Sequence, residues 1–105
     1  MTDDLRKRIA DTIAKDRVML FMKGSPQMPQ CGFSAFVVGV LKEVGATYGS
    51  YNILADPELR EGLKEYSSWP TYPQLYVDGK LVGGADIVRD LHGKGELATI
   101  VTPPA

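Results

Sequence analysis

The sequence is poor in the residues that most often carry chemistry: among 105 residues there is one cysteine, one histidine and one tryptophan. A single cysteine closes no disulfide within the chain. The fold must then be held by its core, which suits a reducing compartment. One cysteine and one histidine also exclude an ordinary structural zinc site, which takes four protein ligands. There is no run of 18 apolar residues, so no membrane span is expected. The start, Met1-Thr2-Asp3-Asp4, has neither the basic and apolar regions of a secretory signal nor the Arg/Ser bias of a transit peptide. The expected location is the cytoplasm. An excess of one charge is missing too: the net charge is −1, without a basic block or an acidic tail. Binding to nucleic acid through phosphate neutralisation is not expected.

What is present is an ordinary globular composition, 44% apolar and 24% charged, in a length that suits one domain over residues 1–105. Leu5, Ile9 and Ile13 recur every four residues and predict a helix over 3–15, with Thr2 or Asp3 as its cap. The run Val18-Met19-Leu20-Phe21-Met22 is too short for a good helix and reads as a buried strand from Arg17; Met19 and Met22 are assigned to the core. Gly24, Ser25, Pro26 and Pro29 make 23–30 a loop. A second helix is predicted at 33–44, with Phe36, Val37, Val40, Leu41 and Val44 facing inward and Gly45 at its end. Residues 47–53 read as a second strand. Asp56 or Pro57 opens a third helix that runs to about Tyr66. Asp78-Gly79 between apolar runs predicts a hairpin over 74–83. A helix follows from about Asp86, then a short turn or helix using Leu97 and Ile100, and 102–105 are expected to be a frayed tail. The order α-β-α-β-α-β-β-α-α implies an α/β fold with a mixed four-stranded sheet flanked by helices.

Cys31 follows a strand and a Pro/Gly loop and stands where a helix begins. Free N–H groups and the helix dipole favour an anion there, so its thiol pKa is expected below the free value. Lys23, at the strand's end, adds a positive charge. The alternative role for a free cysteine is that of a small buried hydrophobe; Gly32, which leaves the sulfur open, argues against it. Trp69 reads as structural, and His92 as a surface residue of a helical turn.

The segment Lys23-Gly24-Ser25-Pro26-Gln27-Met28-Pro29-Gln30-Cys31-Gly32-Phe33-Ser34 closely resembles the active-site segment of monothiol glutaredoxins of the Cys-Gly-Phe-Ser type. Three more stretches agree: Asp56-Pro57-Glu58-Leu59-Arg60, Trp69-Pro70-Thr71-Tyr72-Pro73-Gln74-Leu75-Tyr76-Val77, and Gly83-Gly84-Ala85-Asp86. The resemblance implies the thioredoxin fold in its glutaredoxin-like form. It implies a cis bond before Pro73, with the Tyr72 backbone turned toward glutathione to pair with it as a strand would. It places Lys23 and Arg60 at glutathione carboxylate, with Lys64 assisting. The resemblance puts Phe33 in the same site and places Trp69 beside it. It further implies that Gly84, Ala85 and Asp86 take the other carboxylate and the ammonium group of glutathione.

Two functions are compatible with these residues. In one, Cys31 ligates a [2Fe-2S] cluster carried for iron–sulfur assembly and iron homeostasis. Such a cluster needs four sulfurs; two chains supply two and two glutathiones the others, which implies a homodimer when cluster-bound and a monomer when apo. In the other, Cys31 is the catalytic thiol of a glutathione-dependent thiol–disulfide oxidoreductase that deglutathionylates proteins. Ser34 stands where dithiol relatives have a second cysteine, and Ala85 where many Cys-Gly-Phe-Ser members have one. These departures leave any such activity dependent on glutathione and leave cluster binding untouched. The resemblance itself favours the carrier, because members of this class are generally poor glutaredoxin enzymes and good cluster carriers. A third reading is an apo module that only docks partners. The resemblance further implies a BolA-like partner and iron–sulfur recipient proteins.

Overall fold

In the computed structural model, which describes residues 1–103, the first helix, α1, spans Asp3–Ile13. Thr2 caps it, its hydroxyl accepting from the Leu5 N–H at 3.1 Å. The helix is two residues shorter than the predicted 3–15, because the buried face ends at Ile13 and Ala14 already serves as its C-cap. The remaining elements are β1 (Val18–Met22), α2 (Gly32–Glu43), β2 (Gly49–Asn52), a single 3-10 turn (Ile53–Ala55), α3 (Pro57–Ser67), β3 (Gln74–Val77), β4 (Lys80–Gly83), α4 (Ala85–Gly93) and α5 (Leu97–Val101). Of the expected tail, residues 104 and 105 lie outside the described residues.

The sheet order is β2-β1-β3-β4. β1 runs parallel to β2 and antiparallel to β3, and β3 pairs antiparallel with β4. The mixed four-stranded sheet expected from the element order is therefore present. Both central strands, β1 and β3, are buried along their whole length, which explains why β1 reads as a continuous apolar run rather than an alternation. Its alternate side chains enter two cores. Val18, Leu20 and Met22 pack with Val37, Val40 and Leu41 of α2, Val88 of α4, and Leu97 and Val101 of α5. Met19 and Phe21 pack with Ile9 and Ile13 of α1, Leu59 and Leu63 of α3, and Tyr76. Helices thus cover both faces.

Three boundaries differ from expectation for local reasons. β2 is four residues rather than seven, because an edge strand extends only as far as its partner: the pairing runs from Met19–Gly49 to Met22–Asn52. α2 closes in a Schellman motif, with Ala46 N–H to Leu41 O at 2.9 Å, Gly45 N–H to Lys42 O at 3.0 Å, and Gly45 at φ +71°; Val44 is its cap, not its last residue. α4 begins at Ala85 because Gly84, extended, is its N-cap. At the hairpin, Asp78 and Gly79 both take positive φ, 52° and 78°, as a two-residue primed turn requires.

Candidate functional site

Cys31 is the N-cap residue of α2, in extended conformation, and its side chain is partly exposed. The strand β1 delivers the chain to Lys23, and a tight loop returns it to Cys31. That loop is held by Gln30 N–H to Lys23 O at 2.9 Å and by reciprocal bonds between Ser25 and Met28. The Gly24 N–H donates to Asn52 Oδ1 at 2.9 Å, which ties the loop to β2. Gly24 has φ +92°, and a Cβ there would stand 2.5 Å from the Met28 carbonyl and 2.8 Å from the Gln30 nitrogen. We expect Gly24→Ala to cost about 1–2 kcal/mol, because positive φ and a backbone clash coincide. Thermal denaturation checks this; an unchanged midpoint would contradict the described loop.

The thiol makes no side-chain cap bond, but its surroundings favour the ionised form. The Ser34 N–H lowers its pKa most. Burial opposes that, and the Phe33 N–H, the Lys23 ammonium and the Ser34 hydroxyl add to the lowering. Ser34 itself is fully buried and accepts from the Lys23 N–H at 3.2 Å. Ser34 therefore joins the end of β1 to the first turn of α2, a role that its reading as a missing cysteine did not contain. Alkylation of Cys31 by iodoacetamide is expected to follow a pH profile with its midpoint below the free-cysteine value of about 8.5. A midpoint at or above that value would contradict the electrostatics described.

The sulfur opens on a cleft of about 480 Å³, within the size range of small-molecule sites. Lys23, Cys31, Phe33, Arg60, Lys64, Tyr72, Gly84, Ala85 and Asp86 line it. Residues far apart in the chain and singled out from the sequence are thus brought together. Pro73 does not line the cleft; it is buried behind it, after a cis Tyr72–Pro73 bond. Trp69, Pro70 and Thr71 complete the wall. Trp69, read as structural but placed beside the site by its motif, is indeed part of the lining. His92 lies elsewhere, 3.4 Å from Glu43.

The charges are not equivalent. Lys64 Nζ is 2.9 Å from Glu61 Oε2, one turn earlier, so part of its charge is already answered. Lys23 and Arg60 have no ion-pair partner among the described residues. Arg60 Nε and Trp69 Nε1 are buried donors without a protein acceptor among the described residues, and both residues belong to the lining. Buried donors are normally satisfied, so the cleft is suited to a ligand rich in acceptors. The Tyr72 N–H likewise has no backbone acceptor among the described residues. Gly84 offers no side chain to cap α4, which leaves that helix's first N–H groups facing the same space. Among the described residues no three His, Cys, Asp or Glu converge as a metal site, and no helix is long and apolar enough to cross a membrane.

Comparison with known proteins places this arrangement. The glutaredoxin family model matches residues 18–82. A relative of similar length, the probable monothiol glutaredoxin 2 of Rickettsia typhi, is 53% identical over 91 residues, 87% of this chain and 82% of the relative. The chain also matches parts of longer proteins: it is 54% identical to Danio rerio glutaredoxin 3 and 55% identical to Arabidopsis thaliana monothiol glutaredoxin-S17, each over 90% of this chain, yet it spans only 29% and 20% of their lengths. The solution structure of reduced poplar apo GrxS14 superposes with a TM-score of 0.77 at 49% identity, covering 90% of this chain and 87% of that one. Sheet order, cleft and sequence likeness agree, and the chain belongs to the glutaredoxin family, among relatives described as monothiol.

Proposed function

We propose that this glutaredoxin binds glutathione in the Cys31 cleft and, paired with a second copy, carries a [2Fe-2S] cluster as cargo for transfer to other proteins. The observation that carries the reading is a single ionisable thiol set beside a cationic cleft with unpartnered donors. Glutathione is an acceptor-rich tripeptide with two carboxylates, one ammonium and one thiol. Arg60 and Lys23 suit one carboxylate, the start of α4 suits the other, and Asp86 suits the ammonium. The Tyr72 N–H, without a backbone acceptor among the described residues, suits the peptide backbone. With Ser34 and Ala85 in place of thiols, one chain offers one sulfur. Four are reached with a second chain and two glutathiones. Glutathione held without a covalent bond makes such a cluster labile, which suits delivery. A BolA-like protein in place of one subunit, and the recipient proteins, belong to this same proposal.

The same thiol, partly exposed at the helix start and open on the cleft, also suits a second activity. In it, the Cys31 thiolate attacks the glutathionyl sulfur of a protein–glutathione mixed disulfide, and the protein thiolate leaves. A second glutathione thiolate then attacks the Cys31 disulfide and releases oxidised glutathione. Anaerobic reconstitution with iron and sulfide separates the two activities. The carrier reading expects a coloured dimer that forms only with glutathione, together with slow glutathione-dependent disulfide reduction. Rapid turnover without cluster formation would transfer the assignment to the oxidoreductase.

A further inference from the structure

Gln74, the first residue of β3, is fully buried, which is unusual for an amide. All of its polar atoms are engaged, and its bonds point at the cleft wall. Nε2 donates to the Trp69 carbonyl at 3.1 Å and to the Thr71 carbonyl at 3.3 Å. Oε1 accepts from the Tyr76 hydroxyl at 2.8 Å. One side chain therefore holds the backbone on both sides of Pro70. Next to it, the Tyr72 hydroxyl donates to the Arg60 carbonyl at 2.7 Å and pins α3 to the same loop. Among the described residues, Trp69 and Arg60 are the two with unpartnered buried side-chain donors. The wall has little slack. A Cβ at Gly84 would stand 3.2 Å from both the Pro73 carbonyl and Trp69 Nε1, so a small displacement of the loop changes the cleft's width.

We propose that Gln74 is a positioning residue for the ligand cleft: without touching ligand, its amide fixes the Trp69–Tyr72 wall in the place where the Tyr72 backbone and the Trp69 indole meet glutathione. The proposal rests on the glutathione reading above. A buried leucine or methionine would pack a strand as well. The amide is needed because its Nε2 donates to both part-buried loop carbonyls, and an apolar side chain would leave the loop without those two ties.

Trp69 is the single tryptophan, so its fluorescence reports the wall directly, with or without ligand. In Gln74→Met, of similar length but without donors, acrylamide quenching of Trp69 is expected to rise. The Kd for reduced glutathione, measured by calorimetry, is expected to weaken about tenfold. Leu97→Ala, a core truncation in α5, is the control: it lowers the melting temperature but leaves quenching and Kd near wild type. Should Gln74→Met not fold, Gln74→Glu, which keeps the shape and the acceptor for Tyr76, carries the same test. Unchanged quenching in the Gln74 variant overturns the positioning role, as does raised quenching with an unchanged Kd. Kd weakened equally by Leu97→Ala also overturns it, because general stability would then explain the effect. If wild type fails to bind glutathione while the Gln74 variant still loosens Trp69, the glutathione reading falls and the support of the wall by Gln74 stands.

Discussion

Cys31→Ser is expected to remove cluster formation and thiol reactivity completely while leaving the fold intact. The two halves of this expectation have separate causes. Serine is among the preferred N-cap residues, and Cys31 already has the extended N-cap conformation. A hydroxyl there can accept from the first-turn N–H groups, so stability is expected to stay within about 0.5 kcal/mol of wild type or to rise. The chemistry has no such substitute. Among the described residues no other sulfur or imidazole faces the cleft, and a serine hydroxyl is far harder to ionise than the Cys31 thiol. Circular dichroism with denaturation, alongside visible absorbance after reconstitution, reads both halves. A variant that stays coloured would remove Cys31 from the ligand set.

Asp56→Ala is expected to cost about 2–3 kcal/mol and to lower the melting temperature by roughly 10–20 °C. Asp56 is the N-cap of α3 and accepts from the Leu59 N–H at 3.1 Å. Its carboxylate also takes both terminal nitrogens of Arg8 in α1, at 2.6 and 3.3 Å, and the Tyr51 hydroxyl of β2. One side chain thus joins three elements, and α3 carries Arg60 to the cleft. Chiefly through the Arg8 hydrogen bond, with burial opposing, the carboxyl is held down to about 2. A depressed carboxyl contributes stability above its unfolded value, about 3.9, and loses it as pH falls through the folded value. Arg8 is 40% exposed, so solvent screening reduces the electrostatic share to about 1–2 kcal/mol. Wild type is expected to lose this share between about pH 4 and pH 2, and Asp56→Ala to show a flatter acid limb. Parallel acid limbs would contradict the coupling.

Much of the molecule was legible in its sequence because local physics dominates where the signals lie. The four-residue repeat of Leu5, Ile9 and Ile13, the Asp78-Gly79 turn and the Gly45 stop each act within a few residues. The cleft was legible in another way: Lys23, Cys31, Arg60, Tyr72 and Ala85 are dispersed along the chain, and only likeness to a family joined them. Long-range polar pairing left no signal. Arg8 and Asp56 are 48 positions apart, and neither charge stands out from its solvated neighbours. Gln74 reads as one more residue of a strand until the carbonyls above it are seen. Lys64 lines the cleft as the sequence suggested, but its pairing with Glu61 on the same helix was not foreseen. β2 read too long because alternation in the sequence does not report where a neighbouring strand stops.

In the proposed function Cys31 is one sulfur of a shared cluster rather than a solitary nucleophile. The most direct test of that role is stoichiometry: iron, sulfide, glutathione and protein counted on the reconstituted species after anaerobic size-exclusion chromatography. The expected species is a dimer with one [2Fe-2S] cluster and two glutathiones, absent when glutathione is withheld. A coloured monomer, or a dimer whose cluster forms and persists without any added thiol, would contradict the proposed function.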